Sequence, residues 1–287
     1  MHNARRENPA PTLDPTNSNQ AENAVTYSES SDLADHSADI KRMQDTMAVA
    51  GCALARTDLL LDVGGGAGMH SGMIADMVGK IICTDFTDQN TRFNGEFVKL
   101  LHEKFLRNGY ALPVKKFEFH AVDAMRLIYR NDLFDCAVSF NAFEHIPDPA
   151  QALMEIVRVV KPGGLIYISF DPIWTCDSGS HFQHRVGSPW LHLLTSDDEF
   201  ADAILNNAGT QEEANEYRHA MNRRRLAYYR EMFNDVAEQV ECLRQYEWSG
   251  CSQPENRDHE NFARCLRSGY SEEELLFRGM TKLMRKK

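Results

Sequence analysis

Residues 59–68 read Leu59-Leu60-Leu61-Asp62-Val63-Gly64-Gly65-Gly66-Ala67-Gly68. This is an apolar strand that runs into a glycine-rich turn, and the residues that follow, 69–78, continue at helical spacing. Glycines leave the turn without Cβ atoms, so backbone can approach a ligand closely at the C-terminal edge of the strand. Taken alone, the loop reads equally as a tight structural turn.

Outward from this unit, short apolar runs alternate with longer helical stretches, the mark of a sheet wound by crossover helices. The patterning predicts strands over 59–63, 80–85, 115–121, 134–140 and 165–171, and helices over 69–78, 95–107 and 149–160. Asp148 stands as an N-cap before Pro149 at the first helical position. Lys161-Pro162-Gly163-Gly164 then stops that helix and turns the chain into the next strand. Two further strand-like runs lie at 240–248 and 276–284, separated by a segment that opens with the polar, turn-rich stretch 249–259. Residues 1–30 carry few large apolar side chains and read as a mobile tail. Residues 31–54 repeat apolar positions at helical spacing, as core cover or as a lid over a ligand. Residues 172–235 are too long for an ordinary connection and read as an inserted cap, a His- and Trp-rich loop followed by a charged helix over 211–236. The expected organisation is a tail followed by one domain over 31–287 that carries this cap.

The glycine spacing narrows the ligand. A dinucleotide loop needs G-x-G-x-x-G, but the third position after Gly66 is Met69 and after Gly68 is Ser71. No G-x-x-x-x-G-K-[ST] phosphate loop occurs either. The pattern is D-x-G-x-G-x-G, over Asp62, Gly64, Gly66 and Gly68. Asp85 ends the next strand, where a carboxylate accepts both hydroxyls of a ribose. An acid beside the loop suits a ligand with an ammonium group better than a pyrophosphate, and S-adenosylmethionine is such a ligand.

Further motifs follow in order: CTDF at 83–86, VDAM at 122–125, FDCAVSFNAFEHIPDPAQALMEIVRVVKPGG at 134–164 and LIYISFDP at 165–172. With them, the region from about Leu59 to Asp171 resembles the class I S-adenosylmethionine-dependent methyltransferases of the small-molecule, methyltransferase type 11-like kind. The resemblance implies an α/β, three-layer Rossmann-like fold, with a mostly parallel seven-stranded sheet, helices on both faces and a final antiparallel strand pair. It implies S-adenosyl-L-methionine as cofactor. Gly64, Gly66 and Gly68 would then wrap its methionine and ribose part, Asp85 would bind the ribose hydroxyls and Phe86 would flank the adenine. Asp123 and Ala124 would meet the adenine edge, and Asn141 would face the methionine moiety. Read without the resemblance, Asp123 caps a turn and Phe86 packs in a core. Gly65 and His70 depart slightly from the commonest wording of the loop.

Methyl transfer from a sulfonium is an in-line displacement, so alignment is the main task, and a base is needed only for an acceptor such as a hydroxyl. Candidate catalytic residues are His145, after the fourth strand, and His181 and His184, in the loop after the fifth; each can instead shape its own turn or loop. The His181–His184 spacing invites a metal, yet no carboxylate lies at a recognised motif spacing, and no metal site is assigned. Trp174 and Trp190 either stack on an acceptor ring or sugar face or lie buried under the cap. Of Tyr228 and Tyr229, one is expected to face inward and the other outward. Arg223-Arg224-Arg225 reads as a solvated helix face or as a contact for an acidic acceptor. The expected function is transfer of a methyl group to a small molecule held between sheet edge and cap, at a hydroxyl of a sugar or natural-product intermediate. N-methylation of a small amine and a non-catalytic cofactor-binding regulatory subunit are the alternatives.

Lys and Arg total 31 against 42 Asp and Glu, and the formal charge of −11 disfavours nucleic acid as a partner. No apolar run reaches about 18 residues, and the polar first twenty residues lack the apolar stretch of a secretory leader. No membrane partner and a cytoplasmic location are therefore expected. Seven scattered cysteines without C-x-x-C spacing point to reduced thiols.

Overall fold

The structure, a computed structural model, describes residues 29–287. The tail expected over 1–30 lies outside the described residues, save for its last two, which begin the first helix. In chain order the elements are α1 (Glu29–Val49), β1 (Leu59–Val63), α2 (Met69–Ile74), β2 (Lys80–Asp85), α3 (Phe97–Arg107), β3 (Phe117–Ala121), β4 (Phe134–Phe140), α4 (Pro149–Val159) and β5 (Val160–Phe170). They continue with α5 (Asp197–Asn206), α6 (Gln211–His219), α7 (Leu226–Asp235), β6 (Val240–Ser249), α8 (Glu260–Arg267), α9 (Glu272–Leu276) and β7 (Phe277–Lys286). The strands form one seven-stranded sheet in the order β3-β2-β1-β4-β5-β7-β6. Strands β1 to β5 pair in parallel, while β7 runs antiparallel to both β5 and β6. Among the described residues no helix is long and apolar enough to cross a membrane, and all seven cysteines are free.

Alternation along the central strands sends side chains into two separate cores, one on each face of the sheet. Leu60, Ile81, Cys83 and Val138 meet Leu33, Ile40, Met43 and Met47 of α1 and Phe105 of α3. Leu61, Val63, Ile82 and Ala137 meet Leu153 and Ile156 of α4 and Tyr229 and Phe233 of α7. Burying one such side chain is worth about 1.5–3 kcal/mol, so these two layers hold the sheet that presents the site.

The boundaries of β1, β2 and β4 coincide with the predicted ones. Residues 161–164 differ, because they form no separate turn. They lie inside β5 as an irregularity opposite Asp135: Phe134 pairs with Val160 and Cys136 with Leu165. Gly163 has φ 80° there, and a Cβ on Gly164 would sit 2.7 Å from the Asp135 carbonyl oxygen.

The segment after β5 departs further from expectation. The helix predicted over 211–236 is broken into α6 and α7, with Arg223 at φ 58° between them. The break follows from Asn222, which is tied to the loop after β4. Its backbone N–H donates to the Glu144 carbonyl at 2.9 Å, and its Nδ2 donates to the carbonyls of Phe143 at 2.6 Å and Ile146 at 2.8 Å. Helix α7 packs on the sheet, so only the part before it stands off as a cap, around a core that includes Trp174, Phe182, Phe200 and Tyr217. The stretch 249–276 joins this region: Trp190 is buried against Phe262, Cys265 and Leu275 from α8 and α9. Both tryptophans therefore anchor cores of their own. Tyr229 is buried and Tyr228 donates outward to Asp148 at 2.7 Å. The three arginines lie before α7 and not on a helix face; Arg223 and Arg224 are half-buried and Arg225 is exposed. Arg223 binds the Asp197 carboxylate at 2.6 Å, Arg224 the Pro147 carbonyl at 3.1 Å and Arg225 the Glu274 carboxylate at 2.7 Å.

Asn222→Ala is expected to lower stability by about 1–3 kcal/mol, because it strands the Phe143 and Ile146 carbonyls and the Tyr229 hydroxyl that donates to Asn222 at 2.9 Å. Hydrogen exchange should speed up over 141–147 while the strands β1 and β2 keep their protection; exchange spread evenly over the chain would contradict the pinning role.

Candidate functional site

Gly64, Gly66 and Gly68 adopt φ of 70°, 52° and 76°, the left-handed region that glycine enters without strain. Gly65 has a different reason to be glycine. A Cβ there would stand 2.6 Å from Asp62 Oδ2 and 2.5 Å from Cys83 Sγ. Asp62 is fully buried beneath the loop, its Oδ2 accepting from Ser71 Oγ at 2.5 Å and its Oδ1 lacking a partner among the described residues. Burial pushes its carboxyl up to about 7, with the Ser71 hydrogen bond opposing and the nearby Asp85 charge adding. Asp62 thus supports the loop from below and lines neither cavity described next. Gly68 also lies behind the loop, where a Cβ would come within 2.7 Å of the Phe117 and Phe119 rings.

The other residues expected to bind the cofactor converge. A cleft of about 590 Å³ is lined by Gly64, Gly66, Asp85, Phe86, Asp123, Ala124 and Asn141. The Gly66 N–H donates to Asp85 Oδ2 at 3.0 Å and the Thr87 N–H to Oδ1 at 2.9 Å. Each Asp85 oxygen keeps accepting capacity for a further donor. Phe86 is 86% exposed and belongs to no core. Asp123 does what its turn asks, its Oδ1 accepting from the Met125 N–H at 2.8 Å, and still borders the cleft. A Cβ on Gly66 would meet nothing within 4 Å, so this face of the loop is an open cradle.

A second cavity, of about 1100 Å³, shares Gly64, Gly66 and Asn141 with the first. Its walls come from His36 of α1, His70 of α2, Phe140, Arg92 and Phe93 before α3, and α3 itself. His70 Nε2 lies 3.0 Å from Asp39 Oδ2, and the ring stacks on Phe140 at a centroid distance of 4.2 Å. Helix α1 therefore both covers the core and walls a cavity. Sequence reading passed over His70 as a variation in loop wording; the available signal was a polar aromatic residue at the start of an otherwise apolar helix.

The three candidate histidines separate. His145 Nδ1 donates to the Ala220 carbonyl at 2.6 Å, and His181 Nε2 to the Pro172 carbonyl at 3.0 Å. Their rings meet edge to face at 5.0 Å. His184 is elsewhere, on the surface, with Nε2 3.3 Å from Glu213 Oε1. Only His145 borders the 590 Å³ cleft. Beside the pair, Glu144 is fully buried and neither carboxyl oxygen has a partner among the described residues. Burial pushes the Glu144 carboxyl well up, and draws His145 down and His181 down to about 4. Sequence reading quoted Glu144 without a role, because an acid at a loop carries no sign of its burial.

The family profile described as a methyltransferase domain matches residues 61–168. Residues 61–168 thus match a methyltransferase domain. An uncharacterized methyltransferase of Mycobacterium leprae (strain TN) is 33% identical over 123 residues, 43% of this chain and 40% of that protein. One of Mycobacterium tuberculosis (strain ATCC 25618 / H37Rv) is 32% identical over 122 residues, 42% of each chain. The matched stretch thus spans about two fifths of the length of these curated relatives. Geranyl diphosphate C-methyltransferase from Streptomyces coelicolor A3(2), solved with Mg2+, geranyl diphosphate and S-adenosyl-L-homocysteine, superposes with a TM-score of 0.52 at 12% identity. That likeness covers 86% of this chain and 77% of the other, and it concerns the fold.

The buried Asp62 of the methyltransferase domain makes a signed prediction. Its ordinary value is 3.8 and its folded value about 7, so between these limits the folded chain keeps a proton that the unfolded chain releases. Raising the pH from about 4 to about 7 should therefore cost wild type on the order of 4 kcal/mol relative to Asp62→Asn, with no further change above that window. Urea unfolding across this pH range checks it, and a pH-independent difference between the two proteins would reject the raised carboxyl.

Proposed function

We propose that this chain is an S-adenosylmethionine-dependent methyltransferase that methylates an oxygen of a small molecule, with the cofactor in the 590 Å³ cleft and the acceptor in the 1100 Å³ cavity. The observation that carries the reading is the hydrogen bond from Gly66 N–H to Asp85 Oδ2, which makes the glycine loop and the acid after β2 one surface of one cleft. The residues present fit the cofactor: Asp85 has capacity for ribose hydroxyls, Phe86 offers a face to adenine, and Gly66 leaves its side of the loop open. Gly64 and Asn141 then border the methionine end. When bound, S-adenosylmethionine supplies an electrophilic methyl group on its sulfur.

Gly64, Gly66 and Asn141 line both cavities, so the two adjoin there, and an acceptor in the larger one would meet the methyl group at that junction. As the carbon–oxygen bond forms and the carbon–sulfur bond breaks, the hydroxyl proton passes to His70, which Asp39 orients and which lines the acceptor cavity. This replaces the placement under the cap, because Trp174 and Trp190 are consumed by packing. Phe93, Phe97 and Leu100 supply apolar surface, and Arg92, Glu103, Lys104 and Arg107 also line the cavity. Such a wall favours an acceptor with an apolar body over a sugar.

Calorimetry should show S-adenosylmethionine and its demethylated product binding at micromolar affinity, roughly 8 kcal/mol, with NAD far weaker. Asp85→Ala should weaken cofactor binding tenfold or more, roughly one charge-assisted hydrogen bond, in a folded protein. NAD binding as tight as S-adenosylmethionine would refute the reading. His70→Gln should lower kcat by about 10²–10⁴ and leave cofactor affinity nearly intact, whereas full activity in that variant would remove His70 from proton transfer.

A further inference from the structure

Glu144, His145 and His181 each place one ligand atom within 4.8 Å of the others, and no role in the proposed methyl transfer uses them. Glu144 Oε1 stands 4.0 Å from His145 Nε2. A carbonyl oxygen only accepts, so the bonds to Ala220 and Pro172 fix the proton on His145 Nδ1 and on His181 Nε2. The lone pairs are left on His145 Nε2 and His181 Nδ1. Histidines that ligate metals are held in this way, with the second ring nitrogen donating to a carbonyl or carboxylate that sets tautomer and orientation.

Glu144 supplies the independent observation. Its side chain is fully enclosed and both carboxyl oxygens lack a hydrogen-bond partner among the described residues. An unpartnered buried carboxyl is costly, and a coordinated cation removes that cost.

We propose that Glu144, His145 and His181 bind a divalent transition-metal ion of the Zn2+ type at the edge of the cofactor cleft. Two imidazole nitrogens and one carboxylate, with positions left over, form a donor set that Zn2+ accepts. With bonds of about 2.0–2.2 Å, tetrahedral ligand atoms stand roughly 3.4 Å apart, so binding draws the three groups together by about 1 Å. His145 is part of the cleft wall, and the remaining coordination positions would take water or an oxygen of a small molecule bound there. His184, the partner that sequence spacing suggested for His181, is paired with Glu213 and takes no part.

The test uses the full chain, freed of metal with a chelator and titrated with Zn2+ or Co2+. Wild type should bind one ion per chain and give the visible bands of four- or five-coordinate Co2+. Glu144→Gln and His181→Gln should each weaken binding by at least about 100-fold, since even partners of metal ligands are worth 10–100-fold, and His184→Gln should leave it unchanged. S-adenosylmethionine affinity, measured on the same proteins, should hold in all of them, which separates this site from the methyltransferase reading. Absence of stoichiometric binding to wild type, or undiminished affinity in the Glu144 and His181 variants, overturns the proposal. Should a variant fail to fold, the wild-type Co2+ spectrum decides: an octahedral, water-dominated spectrum overturns the site.

Discussion

On the side of the turn after β1 that packs against Ala142, Asp62 and the Phe117 and Phe119 rings there is room for backbone and for no side chain, and most of the site depends on that constraint. Below it lies a buried carboxyl, Asp62, held by Ser71 and so close to Gly65 that a methyl group could not intervene. Above it the Gly66 N–H reaches Asp85. The loop is thus clamped from two sides by acids from adjacent strands, one buried and one facing the cleft. Three left-handed glycines let the chain reverse between those clamps without strain.

A second constraint joins the cap to the sheet. Asn222 satisfies carbonyls of the loop after β4 that would otherwise face a mostly apolar enclosure, and in doing so it ends one helix and allows the next to start on the sheet. The same loop carries Asn141, Glu144 and His145. Cap and cleft therefore share a wall through Ala220, which accepts from His145 and lines the cleft, although the aromatic body of the cap turns away from it. His181 arrives from the cap side of this junction, at φ 63°.

Charge is distributed against the overall balance. The chain carries a formal −11, yet the larger cavity gathers Arg92, Lys104 and Arg107 around an apolar floor. The junction behind the 590 Å³ cleft encloses Glu144 near Asp171 with two imidazoles whose burial disfavours protonation.

Sequence alone determined the sheet and much of the lining of the 590 Å³ cleft. Strands β1, β2 and β4 are short apolar runs whose ends are marked by Gly, Asp or Asn, and the residues at those ends face the cleft because parallel strands deliver their C-terminal ends to one edge. Gly64, Gly66 and Asp85 were legible for that local reason, and Phe86, Asp123, Ala124 and Asn141 through the family resemblance. Tertiary structure alone decided which polar residues are buried and which histidines meet. His145 and His181 are brought together by a cap whose path is set at Asn222, His184 is turned to the surface, and Glu144 looks in sequence like any loop acid. Asp39 reaches His70 from another helix. Such encounters depend on how layers pack across long sequence separations, and neither periodicity nor spacing along the chain encodes that packing.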